Sequence, residues 1–231
     1  GYCRAPRRLS GALPGVVAFR DIHDVEAMLE TSRTHRRAVV IGGGLLGLEA
    51  ANGLARNGME VTVVHVMDSL MERQLDKPAA ALLQAALEAR GLKFLMQAGT
   101  TEILGKDRVT GIRFKDGREV ETDLVVMAAG IRPNIDLARS CGLHCERAIV
   151  VDDTLQTLSD PRIYAVGECV EHRKAVYGLV APLWEQARVC AAHLAGLGHK
   201  RYPGSTVSTK LKVTGIDLFS AGDFIGDAET E

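Results

Sequence analysis

Aromatic side chains are scarce in this sequence: Phe, Tyr and Trp make up 4% of its 231 residues, with a single Trp. A core with so few rings must be filled by Val, Leu, Ile and Ala, and a hydrophobic content of 46% suffices for that. A surplus of one charge is also lacking. The formal net charge is −1, with acids and bases interspersed, so the positive field that nucleic acid demands is absent. No uncharged run exceeds that from Ala38 to Leu48, far short of the roughly 18 apolar residues that span a bilayer. Neither a membrane nor a nucleic-acid partner is therefore expected. No charged-apolar-small leader opens the chain and no Met precedes Met28, so it reads as a cytoplasmic piece of a larger protein. Five cysteines (Cys3, Cys141, Cys145, Cys169, Cys190) form an odd set without a disulfide-scaffold pattern, as expected of free thiols in a reducing cytosol. Cys141 and Cys145 have possible ligand spacing, but no second cysteine pair accompanies them, and no metal site is expected.

The residues present alternate between two periodicities. The opening, Gly1 to Gly15, carries Arg4, Arg7 and Arg8 without periodicity. Asp21 to Glu30 predicts a short helix with Asp24 as N-cap. Ala38 to Ile41 is an apolar run suited to a buried parallel strand, and Glu60 to Val66 reads as the next one. Between them a helix runs to Gly58. Asp76 caps a further helix with Pro78 in its first turn and Gly91 at its end, and Lys93 to Met96 is a third strand. Asp116-Gly117 turns a hairpin between Val109–Lys115 and Arg118–Glu121, and Leu124 to Ala128 is another buried strand. This order predicts an α/β fold, a small parallel sheet with helices and an antiparallel flap.

Gly42-Gly43-Gly44-Leu45-Leu46-Gly47 satisfies G-x-G-x-x-G between a strand and a helix, with a second strand at the right distance. The first glycine permits the tight turn. Gly44 lets the backbone approach a pyrophosphate, and Gly47 allows close helix–strand packing. Phosphates then meet the unpaired amides and positive end of the helix, with Gly43 and Leu45 in the same loop. The end of the second strand, where an acid would accept the ribose 2′-hydroxyl of NAD, holds His65, with Asp68 and Arg73 beyond it. A histidine neither repels nor demands a 2′-phosphate, so the dinucleotide is written NAD(P)H, with a slight lean to NADH.

Gly42 to Ala50, Ala128 to Asn134 (AAGIRPN) and Thr157 to Glu168 resemble the FAD-dependent pyridine nucleotide reductases. Val64 to Asp76, Val166 to His172, Tyr177 to Arg188 and Ser208 to Asp223 narrow the resemblance to the large subunits of assimilatory NAD(P)H nitrite reductases. It covers about Leu13 to the end. The resemblance implies an FAD/NAD(P)-binding three-layer Rossmann-like fold, truncated here, in which an NAD(P) domain is inserted into a split FAD domain. Residues 1–37 would then be a linker and remnant of the first FAD half. Residues 38–127 would form the NAD(P) domain, 128–197 the returning FAD part, and 198–231 the start of a third small domain.

The same resemblance implies site roles. Glu168, where the family usually has Asp, would end a strand running from Tyr164 and accept a ribityl hydroxyl beside Gly167; otherwise it is an ordinary strand-end acid. Gly130 lies in the returning segment. Pro182-Leu183-Trp184 opens a helix through Leu194 whose amides could face the flavin, although Trp184 could equally be core. Glu49 corresponds to an acid near the nicotinamide and flavin rings, against the alternative of an exposed helix acid. His172 and Cys169 receive no catalytic role, because hydride transfer needs alignment and no protein acid or nucleophile. No catalytic residue is assigned.

The function implied is an oxidoreductase module passing hydride from NAD(P)H to FAD. It would supply electrons for nitrite reduction to ammonia, with sirohaem and iron–sulfur centres only in regions beyond this chain. Its partners would be the remaining domains of the subunit and a small subunit. Alternatives are a reductase serving a separate partner (a nitrate reductase electron-transfer subunit or a rubredoxin-type reductase) and a non-catalytic dinucleotide-binding module. The lack of a C-x-x-x-x-C pair disfavours a dithiol reductase.

Overall fold

The computed structural model describes residues 13–224. Cys3 and the arginine-rich opening lie outside them, as does the end of the expected third domain. The chain divides into two compact units, one of residues 13–130 with 208–224 and one of residues 131–207. The two divisions of the described residues fall at 130/131 and 207/208.

The first unit begins with β1 (Val16–Ala18), α1 (Ile22–Thr34), β2 (Arg37–Ile41), α2 (Leu45–Arg56), β3 (Glu60–Val64), α3 (Lys77–Glu88) and β4 (Lys93–Leu95). An antiparallel sheet of β5 (Thr100–Gly105), β6 (Val109–Phe114) and β7 (Glu119–Glu121) follows, and then β8 (Leu124–Met127). The main sheet is parallel, in the order β1-β8-β2-β3-β4. Its strands are apolar at consecutive positions because both faces are covered. Ala38 and Val40 join Leu48, Leu54 and Leu83 on the helical face, whereas Val39 and Ile41 join Ile112 and Phe114 of the antiparallel sheet. The result is the three-layer α/β arrangement: helices, parallel sheet, antiparallel flap.

Differences from the sequence reading are local. The helix expected at Asp21 is capped by Asp21 itself, which accepts from the amides of His23 and Asp24; Asp24 sits at N3 and completes a capping box. Residues 13–36 carry β1 and α1, and β1 exists through its pairing with β8. The strand from Glu60 stops at Val64, two residues early. Asp76 and Pro78 do open α3 as expected.

The second unit contains α4 (Asp136–Ser140), β9 (Ile149–Val151), β10 (Val170–His172), β11 (Ala175–Val176) and α5 (Val180–Leu194), with strand order β11-β10-β9. Helix α5 starts two residues before Pro182. The strand expected over Tyr164–Glu168 is reduced to one bridge, Gln156 to Tyr164. Its neighbour is a tight turn, in which Leu155 N–H donates to the Asp152 carbonyl, and a turn offers no ladder. Glu171 is 3% exposed and accepts hydrogen bonds from the amides of Arg147 (3.0 Å) and Ala148 (3.2 Å), with the Arg147 guanidinium 3.9 Å away. Glu171→Ala removes the acceptor for both amides and is expected to cost about 3 kcal/mol in urea denaturation, with Glu171→Gln losing about half as much. A wild-type midpoint for Glu171→Ala would refute this. His172, 1% exposed, is bonded to Asp153 (2.8 Å) and packed on Tyr202, a structural placement. Hydrogen bonds from Arg173 and His172 hold the Asp153 carboxyl below the usual range.

The chain then returns to the first unit with β12 (Ser208–Lys210) and β13 (Phe219–Ala221), an antiparallel pair. Leu211 and Val213 enter the core on the helical face, and Arg90 donates to the Thr214 and Gly215 carbonyls at 2.6 and 2.7 Å. Cys141, Cys145, Cys169 and Cys190 are free thiols. Among the described residues no group of three metal-ligating side chains occurs, and no helix is long and apolar enough to cross a membrane.

Candidate nucleotide-binding site

Strand β2 ends at Ile41 and the chain turns at once. Gly42 takes φ +126°, a conformation for glycine, and its N–H donates to the Val64 carbonyl at 2.8 Å. A Cβ at Gly42 would overlap the Ala128 carbonyl, and one at Gly47 would overlap the Gly42 carbonyl oxygen. Both glycines let backbone meet backbone. Gly44 differs. It is the N-cap of α2, at φ −86°, and a Cβ there would meet nothing within 4 Å. The space beside it is open.

Gly44 has no side chain to cap α2, whereas α1 and α3 are closed by Asp21 and Asp76. No acid lies in the first turn of α2 either. Its free amide donors and positive dipole end therefore face an opening with no competing carboxylate of their own turn. Leu45, half-buried, begins the helix and packs against the helical-face core.

Beneath the loop lies the segment that follows β3. Leu70 and Met71 are fully buried, and Met71 N–H donates to the Gly43 carbonyl at 3.0 Å. His65 is 7% exposed, with its ring under the loop: Gly43 N–H donates to Nδ1 at 3.1 Å, and Nε2 lies 3.1 Å from Glu72 Oε2. Asp68, further along, is bonded to Lys77 at 2.7 Å, which holds its carboxyl below the ordinary range. On α2 the half-buried Glu49 accepts from the Lys212 amide at 3.0 Å, so it is tied to the returning 208–224 segment. Gly130, exposed and at φ +83°, lies beyond the end of β8.

The remaining expected residues belong to the second unit. Gly167 turns at φ +102° and its N–H donates to Gln186 Oε1 at 2.9 Å; Gln186 is fully buried on α5. Glu168 follows, half-buried. Thr157 Oγ1 donates to the Asp160 carbonyl at 2.8 Å, and bonds from the side chain and backbone of Arg162 pull the Asp160 carboxyl down to about 2. The start of α5 has no side-chain cap and no acid in its first turn. Leu183 packs against the Val189 and Tyr177 cluster, whereas Trp184 is 62% exposed and is not core.

Gly42, Gly43, Gly44, Leu45, Gly47 and His65 are thus gathered at one end of the parallel sheet, where β2 and β3 reach their carboxyl ends, the usual ligand position in such folds. Sequence reasoning missed Glu72 and Gln186. A lone acid in a loop carries no spacing signal; a glutamine at an inward helical position does, and could have been flagged as a buried polar anchor.

The model of the pyridine nucleotide-disulphide oxidoreductases matches residues 3–193. The chain belongs to this family. It is 58% identical over 210 residues to the nitrite reductase [NAD(P)H] of Bacillus subtilis (strain 168), covering 91% of this chain and 26% of that protein. It is 50% identical over 216 residues to the assimilatory nitrate reductase electron transfer subunit of the same organism, covering 94% and 28%. Among solved structures, the NAD-dependent persulfide reductase from A. fulgidus superposes with a TM-score of 0.88 at 32% identity, over 96% of this chain and 42% of that one. The chain spans about a quarter of the length of the two Bacillus relatives.

Proposed function

We propose that this chain is the nicotinamide-dependent, FAD-linked electron-entry module of a nitrite reductase. The observation that carries the reading is the open space at Gly44, set at an uncapped helix end between two glycines that backbone packing requires. A Cβ-free cradle facing free amides fits a dinucleotide pyrophosphate. The identity of 58% to a nitrite reductase [NAD(P)H] supports the electron destination.

Gly42, Gly43, Gly44, Leu45 and Gly47 would hold the dinucleotide phosphates, and Glu49 and Gly130 would lie along the nicotinamide half. In the second unit Glu168, beside the Gly167 turn that Gln186 pins, would accept from a ribityl hydroxyl, and the start of α5, with Leu183 and Trp184 and no side-chain cap, would face the anionic edge of a flavin. Held there, NAD(P)H would be the hydride donor and FAD the acceptor able to pass electrons on singly. The chain itself contributes alignment and exclusion of water, with no side chain needed to move a proton. The remaining domains of a longer subunit, and a small subunit, would be its partners in the cytoplasm.

The same span also matches a nitrate reductase electron transfer subunit, so a second reading sends the electrons to a separate nitrate reductase. The coding sequence that follows Glu231 separates the two. The test of the common part uses the purified chain. Titration with NADH, followed by nucleotide fluorescence, is expected to saturate, with NADPH slightly weaker, and a longer chain that includes the first FAD half is expected to be yellow and to be bleached by NADH under argon. Nitrite consumption by this chain alone is expected to be nil. Absence of saturable binding by either nucleotide would overturn the reading, and a longer chain that binds nucleotide but no flavin would leave only a dinucleotide-binding module.

A further inference from the structure

The ring of His65 is placed where a ribose-selecting acid is expected from sequence, yet both of its nitrogens are engaged inside the protein. These contacts fix the proton. Gly43 N–H is a donor, so Nδ1 must offer a lone pair. The proton of the neutral ring then sits on Nε2, where the Glu72 carboxylate accepts it. The other neutral tautomer would set N–H against N–H at Gly43 and a lone pair against the carboxylate; the imidazolium would repeat the first fault. One protonation state serves both contacts.

Gly43 is held from the other side as well. Its carbonyl accepts from Met71 N–H at 3.0 Å, and a Cβ at Gly43 would lie 2.7 Å from Leu70 and 2.9 Å from the His65 ring. The segment from His65 to Glu72 therefore forms a fitted bed for one peptide of the loop.

We infer that His65, oriented by Glu72, is a positioning residue for the dinucleotide: it turns the Gly43 amide inward and so holds the glycine loop in the conformation that leaves Gly44 and the first amides of α2 presented outward. The inference rests on the proposed nucleotide site. A loop already in its binding conformation loses less freedom on association, and the gain appears as affinity. His65 thus acts from below the phosphates rather than beside the ribose, since neither ring nitrogen is left for a hydroxyl.

Three substitutions separate this role from mere core filling. In His65→Asn the Oδ1 stands where Nδ1 stood and can still accept from Gly43. In His65→Gln the amide reaches toward Glu72 and leaves that acceptor position empty; His65→Leu removes both. Two measurements are made on the whole chain: the Kd for NADH and the hydrogen-exchange rate of the Gly43 amide without nucleotide. His65→Asn is expected to stay within about threefold of wild type in both, while His65→Gln and His65→Leu bind NADH about tenfold more weakly and exchange Gly43 about tenfold faster. If thermal melting shows that His65→Gln and His65→Leu are unfolded, Glu72→Ala carries the test, with about threefold changes in the same directions. Equal values for His65→Asn and His65→Gln, or altered affinity with unaltered Gly43 exchange, would overturn the role of His65 alone. A wild-type chain that binds no NADH would overturn it together with the proposed nucleotide site.

Discussion

Gly47→Ala is expected to lower the stability of this chain by about 3 kcal/mol, a drop of roughly 6–12 °C in Tm by circular dichroism. Alanine is the better helix former by about 1 kcal/mol, so propensity alone would predict the opposite sign. The packing decides. A Cβ at Gly47 would overlap the Gly42 carbonyl oxygen and come within 3.4 Å of the Ala128 Cβ. The overlapped atom is backbone, in a turn already fixed by the bond from Gly42 to Val64, so no side-chain end can move aside. Helix α2 would have to lift from the sheet and expose part of the face that buries Leu48, Ala51 and Leu54. An unchanged or raised Tm would show that the helix and strand do not approach as closely as described.

Gly44→Ala should do the reverse. Its φ of −86° and ψ of −177° suit any residue, and the added methyl meets nothing within 4 Å, so the change in stability should stay within about 0.5 kcal/mol. The methyl would stand in the space proposed for the pyrophosphate, and NADH affinity is expected to fall about 30-fold by fluorescence titration. Wild-type affinity in Gly44→Ala would mean that the phosphates bind elsewhere. Three positions apart in one hexapeptide, the two glycines are thus expected to serve different ends, Gly47 the fold and Gly44 the proposed ligand.

The pattern of hits and misses has a physical basis. Strands β2 and β8 were visible because a parallel strand covered on both faces must be apolar at successive positions, as Ala38 to Ile41 and Leu124 to Met127 are, and β3 was visible from its alternation and Val content. The hairpin at Asp116-Gly117 and the helix cap at Asp76 were visible because turn and cap chemistry is local. Strand β1 was not, since three residues become a strand only when β8 lies alongside. Strand β5 escaped because its inward and outward residues do not alternate cleanly: its register against β6 shifts near both ends. The strand expected before Glu168 failed for the converse reason, an apolar run whose neighbour turned out to be a turn. Asp21 and Asp24 were both visible as acids, and only the bonds they make assign the cap to the first.

The sequence by itself exposed the glycine loop, because two of its constraints are local: a reversal straight after a strand needs the positive φ of Gly42, and the close crossing of helix and turn leaves no room for a Cβ at Gly47. The contacts His65 makes became visible only in the tertiary structure. Its partners, Gly43 and Glu72, lie 22 residues before and 7 residues after it; the first distance has no periodic meaning, and the second spans bends and turns rather than a helix. The folded sheet brings the three together, and burial then leaves the ring no partner but the protein.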